Sequence, residues 1–402
     1  MKIPSLQYMF DKNNPRTSVL RLARYLFIDT TPQDEHVEIT ALTQGSTNAL
    51  FKVRHCGHGR EPIADKGDAE VALVKVYGDG TDLTIDRNKE IAFHKTLHEH
   101  GLAPQLLVRF TNGHAYQYLP GKACTVDSIG IENIWRTVAT ELARWHSLLP
   151  VEDRSGSQKL GRAEPNEWST ARKWLEAIPA ETQQEKNRKG ELEADLEYLA
   201  RKLLPGDDTY DSQARPIPHD PLVFGHGDLV CGNIIVQTVS NSPIHGNVAV
   251  RFIDYEHSTY CSRAFELANH FSEWAGFECE YSKMPTTRIR REFIREYLRA
   301  CHEITNNPDQ VNQISEASRA GSLEAEVSSL MAEVDRYRGF PGFYWGLCAL
   351  IQAKSSTGAI DFDYAGYADK RFAEFTAWRE VEDGKGKDLD NLPFRELMWA
   401  RP

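Results

Sequence analysis

Residues 223–236 read VFGHGDLVCGNIIV. Two apolar runs rich in β-branched residues close on a polar knot, His226-Gly227-Asp228, and Asn233 follows where the second run begins. Apolar runs of this length, bounded by turn residues, predict strands. A third run, VAVRFIDYEH, comes next and ends in Asp254, with Glu256 two residues on. An acid and an amide at the adjoining ends of two strands, and a second acid at the end of a third, argue for a β-framed site. A chain of helices or loops alone would not place them so.

The rest of the pattern divides in two. VEITALTQGSTNALFKVRHC reads as two strands around a turn, and VALVKVYG as a further strand with Lys75 inside it. The segment from Thr84 to His100 suits a helix, with Asp86 near its start and Gly101 and Pro104 beyond its end. APQLLVRF and GHAYQYLPG give two more strands around Asn112-Gly113. Pro120-Gly121 then closes the β-rich part. IWRTVATELARWHSLL opens a mostly helical remainder that includes GFYWGLCALIQAKSS and FDYAGYADKRFAEF, read as two amphipathic helices. Residues 151–220 are charged and weakly apolar, with Trp168, Trp174 and a 191–204 helix as islands. They read as a solvent-facing insertion, and 306–330 as a second. The expected fold class is α+β and bilobal, with an N-terminal lobe at 1–121 and a larger, mainly helical C-terminal lobe at 122–402. That arrangement suits a nucleotide clamped between lobes.

Composition excludes several alternatives. The 402 residues carry a net charge of −11, against the basic excess that broad nucleic-acid binding requires. The seven cysteines are odd in number and scattered, which fits free thiols in a reducing compartment better than a disulfide framework or a zinc site. No run approaches the ~20 apolar residues of a membrane span, and the N-terminus lacks a signal peptide's apolar core. A cytoplasmic protein is the default expectation.

Phosphoryl transfer fits the 226–256 window. It needs a base or orienting acid beside the attacking hydroxyl, and magnesium to hold the phosphates. Asp228 can take the first role. Asn233 can curl back and offer its carbonyl oxygen to Mg²⁺, an ion that favours oxygen ligands, and Asp254 stands where a second metal-binding acid would. His226 reads as structural, tying the loop to nearby backbone. Gly45, Ser46, Thr47 and Asn48 form a turn whose N–H groups could cover phosphates. Lys75, inside an apolar strand, calls for an anionic partner. Glu90 is the first candidate for it and Glu99 the alternative. The bland reading of Lys75 is an edge strand with the amine in solvent. The absence of D-F-G and A-P-E downstream argues against a protein kinase.

These segments together resemble the choline/ethanolamine kinases, and most closely their ethanolamine branch. The resemblance is carried by LTQGSTNALFKV, VKVYGDGTDLTIDRNKE, LAPQLLVRFTNGHAYQYLPG, HGDLVCGNII, FIDYEHSTYCSRAFELANHFSEWAGFE and WGLCALIQAKSSTGAIDFDYAGYADKRF. It implies a protein-kinase-like fold, ATP and Mg²⁺, and phosphorylation of ethanolamine or choline, the committed step toward the corresponding phospholipid. Asp228 is then the catalytic base, Asn233 and Asp254 metal ligands, and Glu256 an acid near the metal. Lys75 and Glu90 form the phosphate-lysine pair, and Gln117, Tyr118 and Leu119 the adenine hinge. Glu273 would face the substrate ammonium, with Trp345, Phe362 and Tyr367 as aromatic walls; ring faces attract ammonium groups independently of any family.

Three departures stand out. Cys348 replaces a usual tryptophan, His-Gly-Asp replaces His-Asn-Asp, and Glu266 replaces an aspartate. The missing tryptophan and the sequence HFSEWAGFE favour ethanolamine over choline. Competing readings are choline or dual specificity, an aminoglycoside-like phosphotransferase, and a scaffold of impaired activity. The expected partners are ethanolamine and ATP, with no nucleic acid and no membrane span; the sequence leaves a homodimer open.

Overall fold

The computed structural model describes residues 3–27, 37–42, 48–56, 71–149, 166–204, 222–238, 248–305, 316–355, 362–384 and 391–402. The chain divides into two compact units, 1–122 with 355–362, and 123–354 with 363–402.

The first unit is built on a six-stranded sheet: β1 (Ser5–Leu6), β2 (Val37–Leu42), β3 (Asn48–His55), β4 (Val71–Tyr77), β5 (Leu106–Phe110) and β6 (Gly113–Gln117), in the order β1-β5-β6-β4-β3-β2. Only β1 and β5 pair in parallel. The VALVKV run has no polar alternation, and β4 accordingly lies in the sheet interior with Val71 through Val76 all buried. Its register sets Lys75 opposite Leu50 on one side and His114 on the other. The edge-strand reading of Lys75 is therefore excluded. Helix α1 (Pro15–Leu26) buries Val19 and Leu22 in a core with Phe10, Phe51, Val53, Val74 and Phe110. Helix α2 (Arg87–Glu99) starts where expected, because the Asp86 carboxylate accepts the Asn88 and Lys89 N–H groups that the first turn leaves unpaired.

In the second unit, β8 (Leu222–Gly225) pairs antiparallel with β11 (Thr259–Ser262), and β9 (Ile234–Thr238) with β10 (Val248–Phe252). (β7 is the two-residue strand Lys122–Ala123.) The polar knot of the sequence is the crossing from one ladder to the other. Helix α3 (Glu132–Leu148) buries Trp145 against Phe224, His226, Phe252 and Tyr255, so one tryptophan supports both ladders. Helix α6 (Arg263–Glu273) follows β11 directly and is buried from Ala264 to Glu273.

Two expectations change here. Residues 167–178 do not face solvent throughout: α4 (Asn166–Ala177) buries Trp168, stacked on Phe340 at 4.4 Å, and Trp174, tilted against Tyr344 at 4.5 Å. Two large indoles suffice to dock a helix whose overall composition is polar. After α5 (Gln183–Leu203) and α7 (Thr287–Thr305), the described part of the second expected insertion belongs to a helix, α8 (Glu316–Tyr337), that buries Val327, Leu330 and Val334. The chain ends in α9 (Phe340–Ser355), α10 (Tyr364–Glu382) and α11 (Phe394–Ala400). Helix α9 is not amphipathic but buried almost throughout. Among the described residues no helix is long and apolar enough to cross a membrane.

Candidate active site

Asp228 lies in the 226–233 crossing, and Asn233 closes that crossing on it. The Asn233 Nδ2 donates to the Asp228 backbone carbonyl at 2.8 Å and to its Oδ2 at 3.2 Å. With Nδ2 committed to Asp228, Oδ1 is the Asn233 atom suited to a hard cation. Burial pushes the Asp228 carboxyl well above the usual carboxylate range, and the negative charges of Glu273, Asp254 and Glu256 push it further. A carboxylate held in this way is a stronger proton acceptor. Asp254 takes a left-handed conformation at φ 68°, unusual away from glycine. It follows β10, whose extension is tied to the crossing by the Ile253 N–H donating to the Asn233 carbonyl at 3.0 Å.

One face of α6 fastens the whole crossing. The residues at 266, 269, 270 and 273 share a helix face. The Glu266 carboxylate accepts the N–H groups of His226 at 2.8 Å and Gly227 at 3.1 Å. Asn269 Nδ2 donates to the Gly227 carbonyl at 3.0 Å, and His270 Nδ1 to that of Leu229 at 2.9 Å. The Cys231 thiol reaches the Glu273 carbonyl at 3.9 Å. Inside the crossing, the Asp228 N–H donates to His226 Nδ1 at 3.4 Å, which leaves His226 Nε2–H to donate to the Ile253 carbonyl at 2.9 Å. Both histidines are neutral, since burial draws each down to about 4. His226 is thus structural, as its sequence setting suggests. The Glu266 carboxyl is lifted to about 7 by burial, against the pull of the two backbone N–H groups.

In the first unit, Lys75 Nζ donates to Glu90 Oε1 at 2.7 Å, and the two side chains are 3% and 2% exposed. Arg87 holds the other Glu90 oxygen at 3.0 Å and reaches Asn48 Oδ1 at 3.1 Å. Glu99, the alternative partner, is exposed beside Lys95. Gly45, Ser46 and Thr47 lie outside the described residues. Gln117 ends β6, the Tyr118 N–H donates to the Val71 carbonyl at 3.1 Å, and Leu119 is half-buried.

The residues expected around an ammonium group lie in two settings. Glu273 is 2% exposed and sits 2.9 Å from Arg371, which is itself fully buried and 3.6 Å from Glu374. Two carboxyl groups thus share one guanidinium, and burial raises that of Glu273 above the usual range against the pull of Arg371. Tyr367 lies under Arg371 and against Phe277, with the Tyr367 and Phe277 rings 5.8 Å apart. Trp345 packs with His257 and Tyr344, and its Nε1–H donates to Asn269 Oδ1 at 2.8 Å. Phe362 falls in the first unit, half-buried.

The profile of the choline/ethanolamine kinase family matches residues 39–376. The chain belongs to the choline/ethanolamine kinase family. It is 32% identical over 361 residues to ethanolamine kinase 1 of Mus musculus, covering 90% of this chain and 88% of the mouse protein. The solved structure of an ethanolamine kinase from Plasmodium vivax superposes with a TM-score of 0.68 at 22% identity, covering 92% of this chain and 89% of that one. A choline kinase from Cryptosporidium parvum gives 0.62 at 18%, covering 94% and 98%. Those two structures share the fold, which is kinase-like.

Within this family member, the departures noted in the sequence have local reasons. Gly227 has φ +78°, and a Cβ there would lie 2.2 Å from the His257 carbonyl oxygen. Glycine fits both the left-handed conformation and the close approach. Cys348 is buried, and the neighbouring Tyr364 phenol is held above its usual pKa by burial first and then by the charges of Cys348 and Glu256. Sequence reasoning missed Asn269, His270 and Arg371. A signal was present: in ELANHFSE the polar residues recur at helical spacing inside a helix with few exposed candidates, so the polar stripe had to be an internal one.

Proposed function

We propose that the protein is an ethanolamine kinase, transferring the γ-phosphoryl group of ATP to the hydroxyl of ethanolamine to give phosphoethanolamine and ADP. One relationship carries the substrate class: after burial, the charge of Glu273 is the largest electrostatic influence on Asp228. An acceptor of hydroxyl and ammonium on a two-carbon chain matches a base and an anion set side by side. Asp228 accepts the hydroxyl proton. The Glu273–Arg371–Glu374 group, with two acids to one base, draws the ammonium, and Trp345, Phe362 and Tyr367 supply ring faces.

Asn233, Asp254 and Glu256 would hold magnesium. The donor set fits: one amide oxygen and two carboxylates, hard ligands whose crowding near Asp228 a divalent cation would relieve. Bound there, magnesium supplies charge neutralisation for the phosphates. In the first unit, Lys75, oriented by Glu90, pairs with ATP phosphates, Gly45 to Asn48 cover them, and Gln117 to Leu119 line the adenine. The reaction takes place in the cytosol and opens the CDP-ethanolamine route to phosphatidylethanolamine.

Ethanolamine is favoured over choline because a primary ammonium keeps three donors for carboxylates and hydroxyls, whereas three methyl groups call for a fuller aromatic cage than Cys348 leaves. Purified protein with Mg·ATP should show a higher kcat/KM for ethanolamine than for choline, measured by coupled ADP release. The reverse ranking would overturn the preference. Activity only toward aminoglycosides, with neither amino alcohol turned over, would overturn the function. Asp228→Ala should lose about 10²- to 10⁴-fold in kcat while ATP binding persists.

A further inference from the structure

One side chain joins Trp345 to the loop that carries Asp228. The Trp345 indole is a donor only, and the Gly227 carbonyl an acceptor only. Asn269 stands between them, with Oδ1 accepting from Trp345 at 2.8 Å and Nδ2 donating to Gly227 at 3.0 Å. Each end alone fixes which way the amide faces, and the two ends agree. All three residues are buried, so neither bond is shared with solvent.

The Gly227–Asp228 peptide unit is the one from which the base projects. Its carbonyl is held by Asn269 and its N–H by His226 Nδ1. Glycine on the N-terminal side gives this unit more rotational freedom than any other residue would. The freedom must be removed by outside contacts, and on the carbonyl side Asn269 provides it. Trp345 is meanwhile fixed by rings: His257 meets it edge-on at 5.1 Å, and the His257 carbonyl is the atom that crowds Gly227.

We propose that Asn269 is a positioning residue that couples the aromatic wall of the amine pocket to the orientation of Asp228. Seating an ammonium group against Trp345 then steadies the peptide carrying the base, so that binding energy at the amine end is expressed in kcat. The inference rests on Trp345 lining the amine pocket, as in the function proposed above.

Trp345→Phe is the first variant, because it keeps a ring face while removing the N–H together with part of the indole, and the double-variant comparison separates the lost bond from the lost volume. It should lower kcat about tenfold, as expected for one buried hydrogen bond, with the KM for ATP unchanged and the KM for ethanolamine moved less than kcat. Asn269→Ala should show the same split. The double variant should be no slower than the slower single one, since both break one chain. Unchanged kcat in Trp345→Phe would overturn the inference, and so would multiplicative losses in the double variant. If Asn269→Ala does not fold, Trp345→Phe alone decides through its kcat. A wild-type protein that ignores ethanolamine but phosphorylates another amino alcohol would refute the proposed substrate. The relay would then be read with that acceptor by the same kcat comparison.

Discussion

The carboxylate of Glu266 fills the space that a side chain at residue 225 would need. A Cβ at Gly225 would lie 2.7 Å from Glu266 Oε2 and 2.5 Å from Cys261 Sγ. The glycine ending β8 and the long acid on α6 are therefore a matched pair, and the acid's two hydrogen bonds to the base loop depend on the match. Gly225→Ala should cost about 1–3 kcal/mol, the usual range for overpacking. Adding Glu266→Asp should recover part of it. Urea melts of the two single variants and the double variant measure the coupling. Strict additivity would separate the two residues.

The pH dependence of stability should bear the mark of Glu266. Its folded-state value is raised to about 7 from about 4.5. Between those values the unfolded chain has released a proton that the folded chain keeps. The stabilisation from this group is therefore full at low pH and is lost as pH rises through 7, by up to about 1.4 kcal/mol per unit. Glu266→Gln removes that contribution. Unfolding free energy plotted against pH from 5 to 8 should fall less steeply in the variant than in the parent. Parallel curves would show that Glu266 is already ionised throughout.

Gly227 should tolerate no side chain without loss. The left-handed conformation costs an L-residue about 1–2 kcal/mol, and the His257 carbonyl adds a collision. Gly227→Ala should lower both Tm and kcat. Gly227→Asn should be milder than alanine, since asparagine accepts positive φ more readily. It should still fall short of the parent, because its Cβ meets the same oxygen. Equal activity in all three proteins would show that the loop can shift to make room.

Lys75 and Glu90 allow stability and catalysis to be separated. Lys75→Met leaves the Glu90 charge with Arg87 at 3.0 Å and the His114 ring at 4.0 Å, and breaking a buried pair in this way typically costs about 3–5 kcal/mol. The cost should lie at the lower end because Arg87 remains. Lys75→Met with Glu90→Gln should regain much of that stability yet stay deficient in turnover, with a raised KM for ATP. A double variant that recovers turnover would take the lysine out of the reaction.

Much of the local framework of the candidate site was legible in the sequence because it is set by neighbouring residues. The H-x-D-x₄-N spacing, the acid after β10 and the lysine within an apolar run are each set by a few adjacent residues. The Asp86 cap placed α2, and that placement separates Glu90 from Glu99. Contacts reaching across the chain were not legible. Nothing near Glu273 in sequence announces Arg371, and nothing near Gly227 announces His257. Composition also misled in residues 167–178, where two tryptophans outweigh a polar majority. The stripe of polar residues on α6 lay between these cases, visible as a pattern but without a visible partner.

His226 and His270, both titrating near 4, brace the base loop as permanently uncharged groups. Ordinary swings in cellular acidity will not alter the charge of either brace. A change of acidity that titrates the carboxylates around Asp228 therefore leaves the histidine frame of its loop with the same electrical character.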